Sequence, residues 1–336
     1  MTRATFATTW RRALATGLLA AGCGTTPLAT SATSATSATT DTPSDPYVLV
    51  VGTAQDGGLP QIGCNLSCCE VARADPSRRR LNSALLLVDP RSGKRWLFDA
   101  GPDLPEIVET TRGIPPNRTT GAGRPPLFDG IFVTHAHLGH VAGLLSLGRE
   151  AYGARSQPVY VGARMSAFLS SNAPWSLAVD DGHLALERIK DERTVVLAED
   201  LRVTPWRVPH RDEFSETFGF VIEGPSRSLL YLPDIDKWER WGRRLEEALA
   251  AVDVALIDGS FFADGEIPGR SMADIQHPFI SETIARLAAA PRQPRAQVLF
   301  THLNHTNPAA DPDGAAAAAV RRAGHDVAAD GQVIDL

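Results

Sequence analysis

The sequence lacks the surplus of positive charge that nucleic-acid-binding proteins carry. Its 336 residues contain 33 Lys and Arg against 39 Asp and Glu, for a formal net charge of −6. Basic clusters with interleaved aromatic residues are missing, as is a glycine-rich loop of the kind that cradles nucleotide phosphates. These absences argue against a nucleic-acid partner, and we expect the partner to be a small-molecule substrate.

The N-terminal apolar run is too short to span a bilayer. It covers residues 13–21 and follows a segment with three arginines, which together indicate an export signal. The run ends at Ala20-Ala21-Gly22-Cys23, which resembles the lipobox of bacterial lipoproteins. We therefore expect residues 1–23 to be a lipoprotein-type signal peptide, with a lipid on Cys23. The predicted location is the periplasm or a membrane reached only through that lipid. The alternative is that Cys23 is lost with a cleaved peptide.

Residues 24–46 contain three Ser-Ala-Thr repeats and have no apolar face to bury, so they predict a flexible linker. From residue 47 to 336, strand-like apolar runs come in two groups, each closed by helices. One predicted helix extends from the histidine motif, described below, to about Tyr152. Another is predicted from Trp238 to Val252. The pattern predicts one domain of two similar halves, with a sheet-on-sheet core and helices outside.

Three of the nine histidines lie within six residues. His135, His137 and His140 follow the apolar run Ile131–Val133, which is short enough to be a buried strand, and precede a helix-like pattern. His135 and His137 are two residues apart, so on extended backbone their side chains point the same way, as two ligands of one metal must. The alternative is a polar loop with solvated histidines.

Other polar residues follow predicted strands in an order that resembles the metallo-β-lactamase superfamily: Asp99, the three histidines, His210, Asp234 and His302. The resemblance implies an α+β fold, the four-layer αββα sandwich, over residues 47–336. It also implies that His135, His137 and His210 bind a first metal, that Asp234 bridges, and that His140 and His302 bind a second metal. Asp99 would orient the histidine loop from behind the ligands.

One residue departs from the superfamily's motif His-x-His-x-Asp-His, because Gly139 stands where the aspartate belongs. The second metal would therefore lose a carboxylate ligand. We expect the first site to fill, and the second site to be weak or to be rebuilt with another carboxylate such as Asp56 or Asp236. Three imidazoles suffice for one zinc with an open water position.

Three cysteines, Cys64, Cys68 and Cys69, lie near the start of the domain. They predict either a disulfide, which adjacent Cys68 and Cys69 would form only under strain, or a structural zinc. The segment from Gly52 to Cys64 resembles the branch that contains the PQQ-biosynthesis protein B and the phosphonate-pathway cyclic phosphodiesterase. That resemblance implies a structural zinc held by clustered cysteines and a late histidine, here His305. The cysteine spacing departs from the branch, so the fourth ligand stays open.

The function expected from these residues is that of an exported zinc-dependent hydrolase acting on ester, lactone or phosphodiester bonds. Bound zinc would lower the pKa of its water toward ~7, so that hydroxide attacks at neutral pH. Asp234 would orient that nucleophile, and His277 is either a structural cap or a substrate-facing acid. One alternative is oxidative chemistry of the PQQ-biosynthesis type at iron, and manganese also stays open. The other is a non-catalytic metal-binding lipoprotein with a degenerate second site.

Overall fold

The structure is a computed structural model that describes residues 44–114, 123–267, 269, 271–272, 274–290 and 295–336. The predicted signal peptide with Cys23 and residues 24–43 of the predicted linker lie outside the described residues. All described residues fall within one unit of the chain, which spans 43–336. None of the helices in this described part is long and apolar enough to cross a membrane.

Seven strands form the first sheet, numbered here in chain order: β1 (Tyr47–Gly52), β2 (Ala84–Asp89), β3 (Lys94–Phe98), β4 (Gly130–Phe132), β5 (Gln157–Val161), β6 (Leu184–Arg188) and the C-terminal β14 (Val333–Asp335). Their order across the sheet is β14-β1-β2-β3-β4-β5-β6. The pairs from β14 to β3 are antiparallel, and those from β3 to β6 are parallel.

The second sheet repeats this arrangement with seven further strands: β7 (Val195–Ala198), β8 (Leu201–Val208), β9 (Thr217–Glu223), β10 (Ser228–Leu232), β11 (Val254–Asp258), β12 (Gln297–Thr301) and β13 (Asp326–Val327). Their order is β7-β8-β9-β10-β11-β12-β13, again with antiparallel pairs followed by parallel pairs. The two sheets therefore share one pairing pattern, which agrees with the predicted two similar halves.

In the part of the chain that the structure describes, eight α-helices accompany the sheets: α1 (Ser67–Ala74), α2 (Leu104–Thr110), α3 (Leu138–Val141), α4 (Ala163–Ser171), α5 (Trp175–Asp180), α6 (Leu245–Ala250), α7 (Ile280–Ala288) and α8 (Ala315–Arg322). The sequence did not lead us to expect α1, α5 or the strands β6 and β13. These elements are short, and their apolar periodicity is weak over so few residues.

The long helix predicted from the histidine motif to Tyr152 is wrong. Helix α3 ends at Val141 and continues only as 3₁₀ turns over Ala142–Leu147. The amide of Gly143 donates to Ala100 O at 2.8 Å, and Ala100 N donates to His140 O at 2.9 Å. Because these tertiary bonds occupy groups that a helix would pair internally, the α-helix stops there.

The helix predicted over 238–252 is likewise wrong in its first half. Trp238–Arg240 form a 3₁₀ turn, Trp241 has extended backbone, and α6 begins only at Leu245. The Trp241 indole is buried, with Nε1 donating to Arg207 O at 3.1 Å. Anchoring of this side chain across the second sheet therefore outweighs the local helical pattern.

Alternating side chains separate the core into three layers. Leu85, Phe98, Phe220 and Tyr231 pack between the two sheets. The opposite faces of the strands pack under helices, with α2 to α5 on the first sheet and α6 to α8 on the second. The predicted four-layer αββα sandwich is thus confirmed. The carboxyl ends of β3, β4, β8, β10, β11 and β12 carry the polar residues of the next section.

Candidate metal centre

Asp99 holds the histidine loop from a fully buried position at the end of β3. Its Oδ1 accepts hydrogen bonds from the backbone amide of Thr134 at 2.8 Å and from the Thr134 hydroxyl at 2.9 Å. The same hydroxyl lies 3.0 Å from Nδ1 of His135. Since its only hydrogen goes to Asp99, it accepts the Nδ1–H of His135, which leaves Nε2 as the ligand atom. Asp99 therefore sets the tautomer of His135 through Thr134.

His135, His137 and His210 converge, and one donor atom from each lies within 4.8 Å of the other two. Nε2 of His135 and Nδ1 of His137 are 2.7 Å apart. The other nitrogen of His137 lies 3.0 Å from Glu213 Oε2, which orients the ring. The side chains predicted as the first metal site thus meet at one point, with His210 arriving from the second sheet after β8.

Asp234 stands at the centre of the cluster. Its Oδ2 lies 2.9 Å from His140 Nε2, 3.1 Å from His302 Nε2 and 3.7 Å from His135 Nε2. Its Oδ1 lies 3.7 Å from His210 Nε2. One carboxylate thus faces both histidine groups, which is the geometry of the predicted bridging ligand.

A second group of donors lies on the other side of Asp234. It comprises Asp56, His140 and His302, again with one donor atom of each within 4.8 Å of the others. Of the two carboxylates considered from the sequence, Asp56 joins this group. Asp236 instead lies behind the first group, with Oδ1 3.6 Å from His210 Nδ1.

Unpaired nitrogens test whether these residues fit a metal. Among the described residues, the buried side-chain atoms without a hydrogen-bond partner are Trp175 Nε1 and four imidazole nitrogens of this cluster. The four are His140 Nε2, both ring nitrogens of His210, and His302 Nε2. A buried polar atom without a partner is costly, and neutral imidazole is the commonest protein metal ligand. The donor set therefore suits metal binding.

The pKa shifts agree with this reading. Burial lowers the pKa of His135 well below its usual value, and burial also lowers the pKa of His137 and His302, so these rings are neutral near pH 7. Burial alone would raise the pKa of Asp234, but the surrounding imidazoles, led by His302 and His140, hold it well below its usual value. Burial alone would lower the pKa of His140, but Asp99 and Asp234 hold it well above its usual value. The centre thus offers three neutral imidazoles and an ionised carboxylate, and metal binding at His140 would release its proton.

His277 is buried and adjoins the ligands, since one donor atom from each of His210, Asp234 and His277 lies within 4.8 Å of the other two. Its Nδ1 is 2.8 Å from Asp258 Oδ2, 3.2 Å from Ser260 Oγ and 3.5 Å from Asp234 Oδ1. Burial alone would lower the pKa of His277, but Asp258 raises it to about 9. The ring lines a cavity of about 230 Å³ with Gln55 and Arg211.

Sequence reasoning did not identify Asp258 and Ser260, although Asp258 ends β11 as Asp234 follows β10. Besides facing His277, Ser260 Oγ lies 2.9 Å from His302 Nδ1, which directs Nε2 of His302 toward the cluster. A polar residue at a strand end was the available signal for Asp258, and Ser260 carried none.

The three cysteines form a separate group. Cys64, Cys68 and Cys69 are free thiols whose Sγ atoms lie within 4.8 Å of one another. The imidazole of His305 does not belong to that group. Its Nδ1 lies 3.1 Å from Asn304 Oδ1, while the ring lines the same cavity of about 500 Å³ as Cys68.

A family model described as "Beta-lactamase superfamily domain" matches residues 94–303. The chain belongs to this superfamily. Over 320 residues this superfamily member is 29% identical to coenzyme PQQ synthesis protein B of Methylorubrum extorquens strain PA1, an alignment that covers 86% of the chain and all of the relative.

Solved structures share the fold. A Zn²⁺-bound PqqB from Methylobacterium extorquens superposes with a TM-score of 0.73 at 26% identity, over 86% of this chain and 100% of that one. A diphosphatase from the PhnP family superposes with a TM-score of 0.57 at 20% identity, over 87% and 97% of the two chains. At that identity the second likeness concerns the β-lactamase-superfamily fold alone.

Proposed function

We propose that this protein is a zinc-dependent hydrolase of ester, lactone or phosphodiester bonds. The observation that carries the proposal is the convergence of five histidines, four of them buried, and Asp234 at the ends of strands from both sheets. His140, His210 and His302 carry unpaired ring nitrogens and belong to the donor groups of this cluster. A bound zinc ion would lower the pKa of its water and polarise the substrate oxygen. The Zn²⁺-bound relative supports the choice of metal.

The protein side chains divide the remaining work. His135, His137 and His210 would bind the first ion, while His140 and His302 face a second position. Asp234 accepts a proton or orients the attacking water from the centre of the cluster. The raised pKa of His277, about 9, keeps its ring protonated near pH 7. Beside the cavity it shares with Arg211, this ring would donate a proton to the leaving group.

The test combines metal analysis with a substrate screen. Purified protein is assayed for zinc and for hydrolysis of ester, lactone, β-lactam and phosphodiester substrates, beside His135→Ala and the control His325→Ala. His325 lies in the C-terminal part of the second half and does not belong to the metal groups of the described residues. We expect His135→Ala to lose the tightest ion and the activity, and His325→Ala to keep both. Equal activity of His135→Ala and the parent protein would contradict the proposal.

An oxidative enzyme is the second candidate, favoured by the 29% identity to coenzyme PQQ synthesis protein B. Imidazole and carboxylate ligands also suit iron. Iron in the protein as isolated, with turnover that requires oxygen, would replace the hydrolase proposal with this one.

We also propose a structural zinc at Cys64, Cys68 and Cys69, since three thiols within 4.8 Å of one another form most of a tetrahedral site. His305, in the adjoining cavity, would complete it after a rotation of its ring. Elemental analysis tests this site. Zinc that remains in a protein without histidine-bound ions, and that is lost in Cys68→Ser, would support it.

Export is proposed from the N-terminal segment alone. Residues 1–23 would direct export, and a lipid on Cys23 would attach the protein to a membrane. The experiment is fractionation of cells that produce the parent chain or Cys23→Ser. A parent chain in the membrane fraction and a variant in the soluble fraction would support a lipid anchor. A parent chain that is itself found in the soluble fraction would contradict it.

A further inference from the structure

Position 139 has no room for a side chain, and Asp56 is the reason. A Cβ atom on Gly139 would lie 2.3 Å from Asp56 Oδ1 and 2.9 Å from Asp56 Cα. The φ angle of Gly139 is not in the left-handed region, so its backbone conformation would accept other residues. Glycine is therefore required here by space, because the carboxylate of Asp56 fills the volume that a side chain at 139 would take.

Asp56 is held in this place by contacts from three parts of the chain. Its Oδ1 accepts the backbone amide of Gly139 at 2.8 Å. The Asn82 amide donates to the backbone carbonyl of Asp56 at 2.9 Å, and the amide of Gln55 donates to Leu303 O at 2.9 Å. Among the described residues no donor is hydrogen-bonded to Oδ2 of Asp56. The carboxylate is thus fixed through one oxygen, and the other oxygen is available to a ligand.

The atoms that face this carboxylate point to a cation. His140 Nε2 and His302 Nε2 belong to the same donor group, both side chains are about 2% exposed or less, and both nitrogens lack a hydrogen-bond partner among the described residues. Asp234 Oδ2 lies 2.9 Å and 3.1 Å from these two nitrogens. Two imidazoles and the carboxylate of Asp56, with Asp234 beside both nitrogens, are a ligand set that suits zinc, iron or manganese.

We propose that Asp56, in the loop after β1, is the carboxylate ligand of the second metal ion and takes the place of the side chain that position 139 lacks. The inference rests on the proposed metal centre and adds a ligand to it. Of the alternatives that the sequence left open, it selects a second site rebuilt with Asp56 over a weak site and over one rebuilt with Asp236.

The decisive variants are Asp56→Asn and a swap that combines Asp56→Gly with Gly139→Asp. Asparagine keeps an oxygen for the Gly139 amide but removes the charge, so it separates ligation from loop structure. The swap removes the carboxylate that fills the volume at position 139 and returns a carboxylate from there. The Cα of residue 56, 2.9 Å from the new Cβ, remains, so the loop must shift slightly to accept it. The matched control is Asp89→Asn, which changes a buried carboxylate that accepts hydrogen bonds from Arg91 and Ser92 at the end of β2 and leaves Asp56 intact.

The readout is the number and affinity of bound ions, measured by elemental analysis and by Zn²⁺ titration against a chelator. Each variant is compared with the parent protein, so that any ion at the cysteines cancels. We expect Asp56→Asn to weaken one ion by at least about tenfold, since even indirect ligand partners contribute that much. The swap should restore the affinity for that ion, and Asp89→Asn should keep it.

The outcomes separate this inference from the proposed function. An unchanged second ion in Asp56→Asn, or a parent protein with one ion at the histidine cluster, would overturn the role of Asp56 and leave the hydrolase proposal intact. A swap variant that melts at the parent's temperature without regaining the ion would also overturn it. Failure of the hydrolase proposal would instead appear as a parent protein that binds both ions and hydrolyses none of the substrates.

Discussion

His140 donates from Nδ1 to Asp99 Oδ2 at 2.8 Å, and both side chains are buried. Asp99 adopts a φ of 64°, which is unfavourable for a residue other than glycine by about 1–2 kcal/mol. The hydroxyl of Tyr231 donates to the same Oδ2 at 3.2 Å. A strained aspartate that orders groups from both sheets is therefore placed to aim Nε2 of His140 at the metal centre.

Asp99→Asn should lower the affinity for the metal, and this should be its main effect. Its amide nitrogen would meet the donors that now face Oδ2, so His140 loses its fixed orientation, and we expect an affinity loss of roughly 10- to 100-fold. Zinc titration measures this effect. The control is Asp89→Asn, a buried aspartate that accepts from Arg91 and Ser92 far along β2. Equal zinc affinity in both variants would contradict the orienting role.

His277→Gln should lower kcat by roughly 10²- to 10⁴-fold, the range for loss of a general acid. The loss should be smallest for substrates with a good leaving group, such as p-nitrophenolate, because that group departs without a proton. KM and the number of bound ions should change little. A uniform loss across leaving groups, together with a lost ion, would instead make His277 a ligand.

Ser260→Ala should weaken the ion that His302 binds, by roughly 10- to 100-fold, because the hydroxyl that orients its ring is removed. Stepwise zinc titration gives this value. Ser228→Ala is the matched control, since its hydroxyl bonds Asp253 at 3.0 Å at the start of β10 rather than an imidazole. If the two variants bind zinc alike, Ser260 does not position His302.

Cys69 should resist alkylation in metal-free protein. Burial and a hydrogen bond from the Cys69 thiol to the Cys64 side chain raise the pKa of Cys69 to about 12, so the reactive thiolate is scarce at pH 8. Mass spectrometry after timed iodoacetamide treatment should find Cys64 and Cys68, which are partly exposed, modified first. Modification of Cys69 at the same rate would show that the thiol group is more open than the structure has it.

Phe132→Ala should lower the free energy of unfolding by about 3–5 kcal/mol, the usual effect of removing a buried aromatic side chain. The ring stacks on Phe98 and Tyr160, with centroids 5.0 Å and 4.4 Å away, and is fully buried. Urea unfolding measures the change. Phe214→Ala, at a side chain 54% exposed, should change stability by less than about 1 kcal/mol.

Strand-end positions made much of the metal centre predictable. His210, Asp234 and His302 each follow an apolar run, and parallel strands bring such ends to one edge, so their meeting could be foreseen. The choice between Asp56 and Asp236 could not, because it depends on how Asn82 and Gly139 hold a loop that is distant in sequence. Tertiary bonds also decided the helix boundaries: no local pattern shows that the amide of Gly143 will pair with Ala100.

The two sheets of the sandwich contribute opposite walls of the same centre: His135 and His140 follow β4, whereas Asp234 and His302 follow β10 and β12. An ion bound by ligands from both sheets would cross-link the two halves of the domain. Separation of the two sheets would pull the ligands of one sheet away from those of the other, even while each sheet keeps its own hydrogen bonds. Occupancy by metal is therefore coupled to closure of the whole sandwich, and an ion at 100 times its Kd would add about 2.7 kcal/mol to that closure.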